Sequence, residues 1–277
     1  MTTIAAQRPE RLSTSNMAET ALTNAARLWF LVAVIGQSLL AIYVVSFYGR
    51  AVLNNDLARW NKVLAGGYVP GNQVGNFVLG LHLVLAVIIT IGGPLQLIPQ
   101  LRARLPVFHR WNGRIYFATA FLTSLAGLYL IWTKGGTVGG VVQHIGTSIN
   151  ALLIMFCAAM TLRYALARQF TIHRRWALRL YLVVSGVWFF RVGLMFWIVV
   201  NQGPVGFNPK TFEGPFLNFL TFAQYLIPLA VLELYLRTQA HTAAPGKYAM
   251  ATALFVLTIA MGIGIFGATM GMWLPRI

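Results

Sequence analysis

Four histidines, His82, His109, His144 and His173, each stand near the start of one of four consecutive apolar segments. Neutral imidazole is the commonest side-chain ligand for transition metals. If the segments are membrane helices, His82 and His144 lie toward one side of the bilayer and His109 and His173 toward the other. Two same-side imidazole pairs inside a helix bundle are the donor sets that two bis-histidine haems need. Such ligation leaves the iron no open position, which suits electron transfer rather than oxygen chemistry.

Composition decides which elements carry these residues. The chain has 277 residues, is 58% hydrophobic and only 9% charged, and has a mean hydropathy of +0.69. A soluble domain is about a quarter charged, so this chain is an integral membrane domain. Runs of roughly 20 apolar residues cross the hydrocarbon, and seven are present: about Leu28–Tyr48, Val78–Ile98, Arg114–Trp132, Val141–Leu162, Leu180–Val200, Phe216–Leu236 and Tyr248–Trp273. They are continuously apolar rather than alternating, which excludes a β-barrel and leaves helices. The expected fold is an all-α membrane protein of seven spans, with spans two to five as a four-helix core.

Lysine and arginine set the expected orientation. With the N-terminus inside, the inner segments hold fourteen of the 21 positive residues and the outer segments six. The positive-inside bias therefore places the N-terminus in and the C-terminus out, in the inner membrane of a bacterial cell. Most of the net charge of +16 is this bias, with an attraction to anionic lipid headgroups. The basic residues are split among short loops, which argues against a nucleic-acid partner. Residues 1–26 are polar and read as a mobile cytoplasmic tail, leaving 27–277 as one transmembrane domain. The single cysteine, Cys157, lies within the fourth span and has no disulfide partner. Two longer outer loops, Gly49–Phe77 and Asn201–Pro215, are rich in Gly, Pro and Asn turn residues.

A repeat links the histidines. The third span is introduced by His109-Arg110-Trp111-Asn112-Gly113-Arg114-Ile115-Tyr116 and the fifth by His173-Arg174-Arg175-Trp176-Ala177-Leu178-Arg179-Leu180-Tyr181. Each follows a span that opens on its own histidine, 27 residues earlier in one case and 29 in the other. Halves of about 75–132 and 138–200 therefore repeat in parallel and can be related by a pseudo-two-fold axis along the membrane normal. The axis pairs His82 with His144 near the outer face and His109 with His173 near the inner face. All four lie in or near a helix's first turn, where the macrodipole disfavours an imidazolium by about 0.3–1 kcal/mol. Glycines close by, such as Gly93 and Gly127, would admit a flat macrocycle, although small residues also serve plain helix packing. Arg114 and Arg179 lie five and six residues beyond their histidines, so the inner pair is expected to be shallow and partly solvated. Arg110, Arg114, Arg174 and Arg179 suit haem propionates or lipid phosphates as charge-assisted donors.

The segment from about Gly67 to Val200, through Gly80-Leu81-His82, His109-Arg110-Trp111-Asn112-Gly113-Arg114-Ile115-Tyr116 and His173-Arg174-Arg175-Trp176, resembles a bacterial family of predicted membrane proteins classed as a domain of unknown function, number 2306. That resemblance implies a multi-pass protein of unassigned activity. More loosely, the four histidines are similar to those of b561-type transmembrane di-haem cytochromes. This likeness implies that His82 and His144 hold an outer b-type haem and His109 and His173 an inner one, with electrons crossing the membrane from a quinol or small reductant. The chain departs from it in having seven spans rather than six.

The remaining polar residues are few. Arg191, about 18 Å beyond Arg179 along the fifth span, is positioned for an outer propionate or anionic substrate, or else snorkels to the headgroups. Glu233 reads as an i,i+4 ion pair with Arg237. Gln37, Gln96, Gln143 and Gln224 read as interhelical hydrogen-bond partners. The five acidic residues, Glu10, Glu19, Asp56, Glu213 and Glu233, form no paired-carboxylate site, and no GxSxG, Walker A or HExxH pattern is present. Two functions remain: di-haem electron transfer, or a non-redox membrane protein that binds or moves a lipid or small anion through an arginine-rich inner pocket.

Overall fold

A computed structural model of the protein describes residues 9–64, 66–133, 139–240 and 243–277, with side chains from Asn16. Residues 1–8 of the expected tail, Lys134 and His241 lie outside the described residues. The described chain is almost wholly helical: α1 (Pro9–Val44), α2 (Arg50–Leu53), α3 (Gln73–Leu97), α4 (Pro99–Arg104), α5 (Pro106–Thr133), α6 (Val141–Leu166), α7 (Phe170–Val184), α8 (Gly186–Asn201), α9 (Pro215–Ala240) and α10 (Ala244–Ala268). Six helices are long and apolar enough to cross a membrane, and α7 with α8 makes a seventh if that bent pair is one span. Large apolar side chains on their outer faces, among them Leu31, Ile42, Phe77, Phe219 and Phe266, are exposed, as a lipid-facing surface requires.

Local chemistry sets the helix ends. Asn72 caps α3 by accepting from the Gly75 N–H at 2.9 Å. Ile98 is extended ahead of Pro99, so α3 stops there and α4 begins. The α6–α7 turn passes through Arg168 at φ 57°. The described residues of the 49–77 and 201–215 loops are pinned by hydrogen bonds. Trp60 is buried under α3 and donates to the Tyr48 carbonyl at 3.4 Å, while Asn208 Oδ1 accepts from the Lys210 N–H at 2.9 Å.

Two expectations are corrected. The stretch taken as a tail as far as Ala26 is helical from Pro9, and Ala18 and Leu22 are buried, Leu22 against Met250 and Leu254 of α10. The fifth span is not one helix from Leu180. It starts at Phe170 and bends by 53° between Val184 and Gly186. Kinks commonly sit at Gly/Ser pairs, and Ser185-Gly186 is one. Ser185 Oγ donates back to the Tyr181 carbonyl at 2.7 Å and accepts from Gln37 Nε2 at 2.9 Å, while the Tyr181 hydroxyl donates to Gln37 Oε1 at 3.1 Å. A Cβ on residue 186 would lie 2.7 Å from Asn150 Nδ2, so the bend is packed tightly against α6.

In the helix packing, α3 lies beside α5, α5 beside α6, α6 beside α7, and α7 touches α3 again. α9 closes over α6 and α7, while α1, α8 and α10 form a second layer. The first group shares a core of Ile89, Tyr116, Ala120, Cys157, Ala158, Leu180, Val183 and Tyr225. The second is aromatic, with Tyr43, Phe47, Tyr48, Trp188 and Trp273.

Candidate functional site

The ring of α3, α5, α6 and α7 carries all four histidines, with α3 opposite α6 and α5 opposite α7. His109, His144 and His173 are each the fourth residue of their helix, as a first-turn placement requires. His82 is not. It is the tenth residue of α3, so the macrodipole argument does not reach it.

The arginine-rich end carries His109 on α5 and His173 on α7, within electrostatic range of one another and of Arg102. His173 Nδ1 lies 2.9 Å from the Thr161 carbonyl of α6. A carbonyl only accepts, so Nδ1 carries a proton, and in the neutral ring Nε2 keeps its lone pair. Metal-bound histidines are held in this way. His109 Nδ1 is enclosed without a hydrogen-bond partner among the described residues. The His109 backbone carbonyl accepts from Gln96 Nε2 at 3.0 Å, and Asn112 Nδ2 donates to the Gly92 carbonyl at 3.0 Å, so two side-chain bonds tie α3 to α5 at this level.

At the opposite end the two histidines have separate surroundings. The His82 ring packs on α5 beside the Thr123 backbone, and a Cβ on Gly127 would sit 3.5 Å from its Cε1. Its Nδ1 is enclosed without a hydrogen-bond partner among the described residues. The His144 ring stands edge-on to Trp132, with centroids 6.1 Å apart. Trp132 Nε1 also donates to Ser148 Oγ at 3.1 Å, one turn along α6. Gly127 and Trp132 are five residues apart on α5, about 8 Å of helix. The points on α5 that His82 and His144 contact are therefore separated by roughly that much.

The arginines differ from one another. Arg179 donates to Glu233 Oε1 from Nε at 2.7 Å, so the partner of Glu233 on α7 is Arg179, across the α7–α9 contact, and not only a neighbour on its own helix. Arg110, Arg114 and Arg174 are exposed at the helix ends. Arg191 does not simply reach for headgroups. It interacts with Tyr43, Tyr48 and His82, and its Nη1 donates to the Val187 carbonyl at 3.2 Å. Gln37 and Gln96 bridge helices as expected, and Gln143 Nε2 reaches the Phe212 carbonyl in the 201–215 loop at 2.8 Å. Gln224 instead donates within its own helix, to the Thr221 carbonyl.

The two copies of the repeated motif make matching contacts. The Arg114 guanidinium lies 4.8 Å from the Trp111 ring centroid, and Arg179 lies 4.8 Å from that of Trp176. Tyr116 and Tyr181, which close the two motifs, meet at Gly93: a Cβ there would be 3.2 Å from Tyr116 Oη and 3.1 Å from Tyr181 Cδ2. Sequence reading passed over the tyrosines as ligand-site neighbours, although their place at the end of each motif was the available signal. The Thr161 carbonyl left none, because a backbone acceptor has no residue type.

Among the described residues, no group of three or more His, Cys, Asp or Glu side chains could hold a metal ion. Two imidazoles on a haem lie below that count. No curated protein and no solved structure matches the chain, and nothing in the comparisons bears on the b561-type likeness. One family model does match, over residues 79–227, more than half of the chain and all four histidine-bearing helices. The chain belongs to that family, described as predicted membrane proteins (DUF2306).

Proposed function

We propose that the protein carries electrons across the membrane through b-type haems held between the helices of the α3, α5, α6, α7 ring. The observation that carries this reading is that His109 and His173 stand at the same fourth position of opposite helices of the ring, with His173 Nδ1 bonded to the Thr161 carbonyl, which in a neutral ring leaves Nε2 free to ligate. His109 and His173 would hold one haem, and His82 and His144 the second, each group supplying reversible one-electron chemistry. The matching Trp–Arg contacts and the meeting of Tyr116 with Tyr181 at Gly93 support a two-fold relation between the hairpins.

The chain's own residues have defined tasks in this reading. The Thr161 carbonyl orients the His173 ring. Exposed Arg110 flanks the site and matches a carboxylate of a macrocycle. Arg179 is already neutralised by Glu233, so it serves the fold more than the ligand. The packed core of Tyr116, Leu180 and Val183 excludes water from the middle of the ring. Arg191, beside His82, would supply the positive charge for the second haem. The orphaned Nδ1 atoms of His82 and His109 are polar groups that a bound ligand or its hydrogen bonds would satisfy.

By the positive-inside bias, the arginine-rich end faces the cytoplasm of a bacterial cell, and the electron donor is a quinol or small reductant. Detergent-purified protein from cells with ample haem should be red, with a Soret band and a dithionite-reducible α-band. Colourless protein would overturn the reading.

A further inference from the structure

A cavity lies between α7 and the second layer of helices, on the side of α7 away from α6. It has a volume of about 1020 Å³ and runs between α1, α7, α8, α9 and α10. That is the upper end of the range for small-molecule sites, about 300–1,000 Å³. Most of its wall is apolar, including Phe189, Phe196, Val231, Leu254 and Met261. One end is polar, with Arg27, Gln100, Arg174 and Gln239. A smaller chamber of about 210 Å³ adjoins that end, sharing Arg174, Leu178 and Gln239 and adding Thr171 and Arg175. Along α9 the cavity extends from Ile227 to Gln239, twelve residues or about 18 Å. That is more than half of a hydrocarbon core of roughly 30 Å.

Two features choose the occupant. The first is access. Ile227 and Leu257 line the shaft, yet they are 48% and 37% exposed on the apolar outer surface. The shaft therefore opens sideways into lipid. The second is charge. The acidic residues near the polar end already have cationic partners, Glu233 with Arg179 and Glu19 with Lys247. Among the described residues, none of Arg27, Arg174 and Arg175 makes an ion pair. Guanidinium groups match phosphate oxygens bidentately. A free phosphate would leave the apolar shaft unfilled, and a zwitterionic head would bring its own cation against the guanidiniums.

We propose that this cavity binds an anionic membrane phospholipid, with its phosphate among Arg27, Arg174 and Arg175 and an acyl chain along the shaft between α8, α9 and α10. The site is separate from the histidine ring and does not depend on haem.

The test uses the full-length protein, delipidated in detergent, with binding read by native mass spectrometry and by unfolding temperature. The probes are dioleoyl phosphatidic acid, dioleoyl phosphatidylcholine and inorganic phosphate. Phosphatidic acid should bind and raise the unfolding temperature, and the other two should do neither. Arg174→Gln with Arg175→Gln should weaken phosphatidic acid about tenfold or more, as expected for lost charge-assisted contacts. Ala260→Trp, which fills the shaft and leaves the arginines untouched, should weaken it as well. It keeps the test open if the arginine variant does not fold. Equal binding of phosphatidylcholine would overturn the proposal. So would full competition by inorganic phosphate, or phosphatidic acid binding unchanged in the folded variants.

Discussion

The two ends of the histidine ring start from nearly the same spacing and reach different geometries. His82 precedes His109 by 27 residues, and His144 precedes His173 by 29. In the first hairpin that interval is fifteen residues of α3, to Leu97, and then twelve of connection, including α4. In the second it is twenty-two residues of α6, to Leu166, and then only seven. Measured from the arginine-rich ends of their helices, His82 stands about 22 Å up and His144 about 33 Å. His109 and His173 take the same fourth position after their turns, while His82 and His144 contact α5 at Gly127 and Trp132, five residues apart. Spacing along a chain fixes depth in a membrane only where the connection between helices is equally long.

The largest expected effect tests that inequality directly. In protein that binds haem, His109→Ala or His173→Ala should remove the haem of the arginine-rich end, about half the total if both sites fill. His144→Ala should remove at most the other half, and removes nothing if that separation along α5 leaves the pair unable to share one iron. Pyridine haemochrome stoichiometry separates these outcomes. A ratio of one haem per chain, abolished by His109→Ala and indifferent to His144→Ala, would confine the chemistry to one end.

The next effect breaks the symmetry of the repeated motif. Trp176 stacks on Arg179 and meets Phe156 edge-on at 5.5 Å, while Trp111 is 57% exposed and touches Arg114. Trp176→Ala should cost about 2 kcal/mol of stability, from lost packing and cation–π attraction. Trp111→Ala should cost about 0.5 kcal/mol, the exposed cation–π value. Thermal unfolding in one detergent compares them, and equal losses would mean that α5 and α7 are held alike.

Glu233→Gln comes below these. The side chains of Arg179 and Glu233 are 21% and 39% exposed, so the pair is neither fully screened nor fully buried. The substitution should cost about 1 kcal/mol. It also releases the Arg179 guanidinium. If Arg179 then serves a haem carboxylate, the haem midpoint potential shifts in the variant. A fixed potential would leave Arg179 a purely structural residue.

The helices and their membrane character were legible in the sequence, because long apolar runs leave strong local signals. The bend at Ser185-Gly186 was legible only as a residue pair, since its cause lies in Gln37 and Asn150, distant in sequence. Arg179 was read as a ligand-site cation because nothing in the sequence brings Glu233 from α9 against it. The helical start at Pro9 was hidden by polar composition, and contact with α10 overrides that composition at Leu22. The unequal distances of His82 and His144 from the arginine-rich ends of their helices were hidden for the same reason: total spacing is visible in sequence, while its division between helix and connection depends on where Pro99 and Pro106 stop and restart the chain.

The smallest effect belongs to Gly127, and it separates the two ends most finely. A Cβ there would lie 3.5 Å from His82 Cε1, an ordinary contact, whereas one on Gly93 would press at 3.1–3.2 Å on Tyr116 and Tyr181. Gly127→Ala should therefore leave stability unchanged or raise it slightly, since Ala is favoured over Gly within a helix by up to about 1 kcal/mol. Gly93→Ala should lose that gain to crowding. If a macrocycle lies against α5 at His82, the extra methyl at residue 127 also displaces it, and haem content falls in a variant whose fold is intact. If His82 is only a packed histidine, Gly127→Ala keeps its full haem complement, and the separate contacts of His82 and His144 along α5 are then plain helix packing.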